Sequence, residues 1–141
     1  MKKISLFVVV SLLLLAPLAA QTVTGTSPNG GENWALHSSH AITWTSTNPG
    51  AHKVDIILRN TGGKVGPIKS QVALSSGSWQ WQDVGRLEDG TVVPPGTDYI
   101  VRIRDAGNAF SDDSNTSFTI SGSSPAPTLQ LLSPNGGESW F

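Results

Sequence analysis

The sequence predicts an all-β domain, an immunoglobulin- or fibronectin-III-like antiparallel β-sandwich of about seven strands. Short segments alternate between apolar and polar residues, which is the pattern of sheets that bury one face. Turn signals rich in Gly, Asn, Asp and Pro recur about every ten residues. Outside the first twenty residues, no window has helical periodicity. Together these observations favour two packed antiparallel sheets.

The first half of the domain contains four strand segments in order. Residues 22–26 alternate β-branched residues and predict an edge strand, and residues 40–46 place Ile42 and Trp44 on one face. Residues 53–59 form the third segment, and residues 64–74 predict one or two weaker strands. The residues of the third segment predicted to face inward are Val54, Ile56 and Leu58.

The second half adds three strands and one long polar loop. Residues 78–82 alternate strictly, with Trp79 and Trp81 on one face. Residues 98–104 give the strongest strand pattern, and residues 117–120 predict the closing strand. Residues 105–115, between the last two strands, are predicted to be a polar loop. In the strongest strand, the inward residues are Tyr99, Val101 and Ile103, and the outward residues are Arg102 and Arg104.

One segment of the chain occurs twice. Ser-Pro-Asn-Gly-Gly-Glu-Asn-Trp at 27–34 returns at 133–140 with seven of eight positions identical, at an offset of 106 residues. That offset exceeds the unit of about 20–50 residues in solenoid repeats, so it predicts tandem whole domains. Pro28 and the Gly pair predict a tight turn. Trp34 is predicted to fold back as a plug at the end of the core, the alternative being a ligand-stacking platform.

The chain divides into four predicted parts. Residues 1–20 have a basic start and an apolar run shorter than the ~20 residues of a membrane span, which predicts a cleaved signal peptide. The alternative is a membrane anchor. Residues 21–121 form the β-sandwich module, and residues 122–128 a Gly/Ser/Pro linker. Residues 129–141 are predicted to begin a second module of the same type, so we expect a fragment of a longer protein.

Charge and cysteine content restrict the partners. Removing Lys2 and Lys3 with the leader leaves seven Lys and Arg against ten Asp and Glu, a formal charge of −3. This mild acidity predicts no binding to nucleic acid or to an anionic membrane. The chain has no cysteine, so an apolar core must hold the module without disulfides. We predict an extracellular or cell-surface location and a monomeric module within a longer chain.

The module resembles a known family in six segments taken in order. They are residues 27–34, 42–46, 54–58, 77–79, 99–103 and 112–120. Over about residues 23–120 the chain is similar to the amino-terminal domain of yeast cell-wall beta-glucan synthesis proteins, the Ser-Thr-rich glycosylphosphatidylinositol-anchored membrane family. The resemblance implies a β-sandwich in an extracellular, cell-wall-associated setting, with no catalytic residues. The Ser/Thr-rich tail and lipid-anchor signal of the yeast proteins are not seen in this sequence.

The residue types that catalysis requires are not arranged for it. The chain has no cysteine and no Gly-x-Ser-x-Gly elbow, and its three histidines all lie between His37 and His52. A glycosidase needs two carboxylates that flank a cleft. The carboxylates available for that role are Glu32, Asp83, Glu88 and Asp98, and most of them lie in turns. The sequence therefore predicts no enzymatic activity and no cofactor.

Two segments invite a metal interpretation. His37 and His40 have a spacing that suits a helix or turn, but they enter a predicted strand and have no evident third ligand, so a zinc site is not predicted. The loop 105–115 offers oxygen ligands around a glycine, with Asp105, Asp112 and Asp113 as weak calcium candidates. Its spacing is not that of an EF-hand loop, and a plain loop is the favoured interpretation.

The aromatic residues separate two functional hypotheses. Trp44, Trp79, Trp81 and Tyr99 fall on the inward phase of their strands, with Trp81 the candidate for exposure if its strand leaves the sheet. The leading hypothesis is a non-catalytic spacer and adhesion module that contacts cell-wall polysaccharide or other surface proteins. The alternative is a carbohydrate-binding appendage of a secreted hydrolase whose catalytic domain lies beyond Phe141. An exposed, coplanar aromatic pair would favour the alternative.

Overall fold

The computed structural model describes residues 19–123, which fold into two packed β-sheets. The all-β, sandwich-like architecture predicted from the sequence is confirmed. Within this range there is no helix of a length and apolarity that could cross a membrane. Nearly all of the predicted signal peptide, most of the linker and the predicted second module, 129–141, lie outside the described residues.

Nine strands form the two sheets, where about seven were predicted. In chain order they are β1 (Thr22–Ser27), β2 (Asn33–Ala35), β3 (His40–Thr47), β4 (Lys53–Asn60), β5 (Gly63–Ala73), β6 (Ser78–Trp81), β7 (Gly96–Asp105), β8 (Ser111–Asp113) and β9 (Phe118–Ser121). The two extra strands, β2 and β8, have three residues each, too few for an alternating pattern to be recognised in the sequence. β8 lies inside the segment predicted to be a plain loop, and β5 is one irregular strand.

The smaller sheet has the order β1-β3-β6, and the larger has the order β2-β9-β7-β4-β5. β8 pairs with the carboxyl-terminal half of β7, while β9 pairs with its amino-terminal half. β2 and β9 are parallel, whereas the other strand pairs are antiparallel. The prediction of a purely antiparallel sandwich is therefore wrong at this edge.

The amino-terminal strand changes sheets at the repeated segment. The Gly25 amide donates to Asp112 Oδ2 at 2.8 Å, and eleven residues later the Leu36 amide donates to the Ser121 carbonyl at 2.8 Å. Because both partners advance together, the chain from β1 through β2 runs parallel to the chain from β8 through β9. The predicted tight turn at Pro28 is thus a crossover between sheets that continues in the same direction.

The core lies between the two sheets and contains most of the residues predicted to face inward. In the order of the strands, the buried ones are Ile42, Trp44, Val54, Ile56, Leu58, Trp81, Tyr99, Val101 and Ile103. Trp79, which was also predicted to face inward, is only partly buried. The connection 82–95 between β6 and β7 adds Val84, Leu87 and Val93. The Trp44 indole donates from Nε1 to the Leu74 carbonyl at 2.9 Å, which satisfies its polar atom inside the core.

Candidate functional site

The repeated segment is held by the carboxylate of Glu32. Its two oxygens accept the Asn29 amide at 2.7 Å and the Gly30 amide at 2.8 Å. Partial burial raises the pKa of Glu32. The hydrogen bonds from these amides and from its own backbone amide lower that pKa by more than burial raises it, so the pKa of Glu32 is below its ordinary value. The charged form of Glu32 therefore fixes the backbone of the crossover.

The other side of the crossover is bound to the connection between β8 and β9. The buried Ser114 hydroxyl donates to the Pro28 carbonyl at 2.8 Å. Asn29 accepts twice, through Oδ1 from the Asn115 amide at 2.9 Å and through its carbonyl from the Thr116 amide at 3.3 Å. The polar groups that recur in the repeat are thus used to close the sandwich.

Trp34 and His40 form a stacked pair at the end of the core. The Trp34 side chain is buried, and its ring lies 4.5 Å from the His40 ring at an interplanar angle of 3°. Phe118 packs against Trp34 with a centroid distance of 5.3 Å. His37 makes a different contact, since its Nδ1 lies 2.8 Å from Asp83 Oδ1. The burial of Trp34 agrees with its predicted role as a plug of the core. The predicted reversal of the chain before Trp34 does not occur, because β2 continues in the direction of β1.

The three calcium candidates are engaged separately. Asp105 is buried and contacts His52 Nδ1 at 3.0 Å while accepting the amides of Gly107 and Ala109. Asp112 accepts the Gly25 amide, and Asp113 holds Arg102 through two contacts of 2.6 Å. Residues 19–123 contain no group of three or more His, Cys, Asp or Glu side chains placed to hold a metal ion. The structure therefore gives each carboxylate a bond within the fold.

The four carboxylates considered for glycosidase chemistry each bond to a different partner. Glu32 belongs to the crossover, and Asp83 accepts from Arg86 Nε at 2.7 Å. Glu88 pairs with Lys69 at 2.6 Å, and Asp98 accepts the Thr61 hydroxyl at 2.7 Å. The bonds with these partners lower the pKa values of Asp83, Glu88 and Asp98. Carboxylates with lowered pKa values are poor general acids near neutral pH.

Among the tryptophans that the structure describes, Trp79 and not Trp81 has exposed surface. Trp81 is only 3% exposed, and its Nε1 donates to the Arg86 carbonyl at 2.8 Å. Trp79, on the edge strand β6, is half-buried, with Lys69 Nζ 5.9 Å from its ring centroid. The reason is the connection 82–95, which turns back over Trp81 and leaves Trp79 at the open edge between the two sheets. No coplanar aromatic pair is exposed within the described residues.

Lowering the pH is expected to destabilise the module through Asp105. The contact with His52 and the Ala109 and Gly107 amides outweigh burial and lower the pKa of Asp105. A folded pKa below the unfolded value of about 3.9 gives stability that is present above that pH and lost as the pH falls through the folded pKa. We expect Asp105→Asn to cost about 1–2 kcal/mol at pH 7, with the difference from wild type shrinking below about pH 4.

The measurement is urea denaturation between pH 7 and pH 3. Asp89→Asn is the matched control, because Asp89 is an exposed loop carboxylate whose pKa is lowered chiefly by the amide and hydroxyl of Thr91. Its removal should leave the acid-induced loss almost as in wild type. An Asp105→Asn protein with an unchanged pH profile would contradict the assignment.

No protein-family model matches this chain, and no curated protein matches it. The resemblance to the cell-wall family stays a prediction.

Proposed function

We propose that this chain is a non-catalytic β-sandwich module of a secreted or cell-surface multidomain protein, with a spacer and adhesion role. The observation that carries the proposal is the use of the repeated segment. Its Glu32 carboxylate, Asn29 side chain and Pro28 carbonyl all bond to backbone or side chains of the same module. A segment that closes a fold is what tandem copies of one domain would repeat.

The finer fold that we propose is immunoglobulin-like. Three features support it: the first strand changes sheets, four consecutive strands of the larger sheet follow the order β9-β7-β4-β5, and Tyr99, near the start of β7, bonds to the chain before that strand. The Tyr99 hydroxyl donates to the Pro94 carbonyl at 2.7 Å, as in the tyrosine corner of such domains. Val101, two residues later, occupies the place at which antibody domains have a cysteine.

The extracellular location is proposed from the leader and from the family resemblance. A basic start, an apolar run and small residues before Gln21 are typical of an exported precursor. The partners proposed are cell-wall polysaccharide or other surface proteins, and the module itself is monomeric.

Export with cleavage before Gln21 is the expected result when the full chain is expressed with its own leader. The measurement is the intact mass of the protein recovered from the medium or the cell surface, together with assays of that protein against a panel of glycoside and ester substrates. The matched control replaces Leu12 and Leu13 by Arg, which breaks the apolar run. The proposal would be overturned if the protein stayed in the cytoplasm with its leader intact. It would also be overturned if the protein turned over any of the substrates and this activity remained after repurification.

The alternative, a carbohydrate-binding appendage of a hydrolase, is favoured by a single observation. Trp79 is a half-buried ring at an open sheet edge, beside the ion pair of Lys69 and Glu88. Aromatic faces of this kind can carry the apolar face of a sugar ring. Quenching of Trp79 fluorescence by a soluble oligosaccharide, absent in Trp79→Ala, would favour the appendage over the spacer.

A further inference from the structure

The outer face of the smaller sheet carries no charged side chain. Strand residues that alternate with the buried Val23, Ile42, Trp44 and Trp81 point away from the core. We call this set the threonine face, and it consists of Thr22, Thr24, Thr26, Ala41, Thr43, Thr45, Thr47, Ser78 and Gln80. All of its members are exposed except Thr43, which is half-buried. The whole face is therefore accessible and electrically neutral.

The six threonines form two rows of three on neighbouring strands. Thr22 lies opposite Thr47, and Thr24 lies opposite Thr45. The hydroxyls of Thr22 and Thr47 are 2.7 Å apart, as are those of Thr26 and Thr43. β-Branched side chains are stiff at χ1, so these hydroxyls and methyls are held in place before any partner arrives. Binding to such a face costs little side-chain entropy.

The outer face of the larger sheet has the opposite character. It carries the ion pair between Arg102 and Asp113 at 2.6 Å and the pair between Arg104 and Asp55 at 3.1 Å. Exposed sheets ordinarily carry charges, since these keep the protein soluble and oppose unwanted association. The larger sheet therefore carries charges on its outer face, whereas the outer face of the smaller sheet is neutral.

The chemistry of the face selects a neutral partner that bears hydroxyl groups. In each bonded pair one hydroxyl proton is used between the two threonines, which leaves a second proton and free lone pairs for a ligand. The methyl groups of the threonines and of Ala41 lie between these polar atoms. A charged ligand would find no counter-charge on this face, whereas a neutral polysaccharide offers hydroxyls beside C–H surfaces.

A second copy of the chain fits this face less well. Three strands about 4.8 Å apart and six residues long cover about 300 Å². A stable protein interface needs about 800 Å² from each partner. The face is too small for a lasting dimer, but a narrow polymer strand could lie along it.

We propose that the threonine face is a contact surface for a neutral polysaccharide. The inference rests on the proposed extracellular function and assigns that function a surface and a ligand class. The face has no aromatic ring, so a single contact is weak, and tandem modules along one polymer would add their contacts through avidity.

The test is a depletion assay with the mature chain, residues 21–141, on cellulose, chitin and cross-linked dextran, with pectate gel as a charged comparison. Thr24→Lys with Ser78→Lys places two charges on the face, on strands that are not neighbours. Thr97→Lys with Ser123→Lys adds the same charge at exposed sites elsewhere. Thr24→Val with Thr45→Val removes hydroxyls and keeps the shape, which protects the test against misfolding.

We expect wild type and the Thr97/Ser123 variant to be retained on at least one neutral polymer and not preferentially on pectate. The Thr24/Ser78 variant should lose about tenfold in retention, and the valine variant should also weaken. Four results would overturn the inference: folded wild type that binds none of the neutral polymers, unchanged binding by both face variants, loss of binding only in Trp79→Ala, or a stable dimer that the lysines abolish. Exported protein with no retention refutes this inference alone, whereas failure of export refutes the proposed function.

Discussion

Replacing Gly30 by alanine is expected to destabilise the module by about 2–4 kcal/mol. Gly30 has φ of 131°, in a region that side chains rarely adopt. A Cβ at this position would lie 1.8 Å from Thr116 Oγ1 and 2.9 Å from Thr116 Cβ. The clash pushes the crossover away from the connection between β8 and β9, so the bonds of Asn29 weaken as well. The measurement is the midpoint of chemical denaturation followed by tryptophan emission.

Gly31→Ala is the matched control for this prediction. Gly31 also has a positive φ, 82°, but no atom lies within 4 Å of the added Cβ. We expect about 1 kcal/mol from backbone strain alone. Gly30→Ala combined with Thr116→Gly should cost less than the sum of the two single changes, because one clash is shared. If both glycine variants lost the same free energy of unfolding, the clash with Thr116 would not contribute to the effect of Gly30→Ala.

Trp34→Ala is the second large effect, with an expected loss of about 3–5 kcal/mol. The indole is 5% exposed, stacks on the His40 ring and packs against the tilted Phe118 ring. Its removal leaves a cavity where β2 meets β9, at the edge that closes the larger sheet. Since small domains have a total stability of about 5–15 kcal/mol, we expect a large fall in melting temperature.

Trp79→Ala gives the comparison within the same residue type. Trp79 is half-buried at the sheet edge, so less apolar surface returns to water when it is removed. We expect a loss of less than about 2 kcal/mol. If Trp79→Ala destabilised the protein as much as Trp34→Ala does, the open edge of the sandwich would contribute as much to stability as its closed end, which would contradict this prediction.

The long strands could be predicted because their signal is local. In β7 the alternation of apolar residues with Arg102 and Arg104 gives both the strand and its buried face. Ile57 departs from that rule in β4, since it lies on the opposite phase from Ile56 and is nevertheless only 3% exposed. Its neighbours across the sheet are Pro67 and Arg102, and the stem of a long cation can cover apolar surface. Alternation alone cannot reveal such covering.

The crossover could not be predicted because its partners are distant in sequence. Pro-Asn-Gly-Gly is compatible with a reversal or with a change of sheet, and the choice depends on bonds such as that from Asn115 to Asn29, 86 residues away. The candidate site has the same limitation. Asp105, Asp112 and Asp113 form a plausible cluster along the sequence, but their bonds lead to His52, Gly25 and Arg102, on three different strands or connections.

The parallel course of β1–β2 beside β8–β9 determines how the module responds to mechanical load. Tension applied at residues 19 and 123 pulls these two segments in opposite directions along their common axis. The hydrogen bonds between them, from Gly25 with Asp112 to Leu36 with Ser121, then resist sliding together. An antiparallel pair pulled from one end would open one bond at a time. The residues that close the sandwich thus also resist shear between the two segments, because their hydrogen bonds bear the force together.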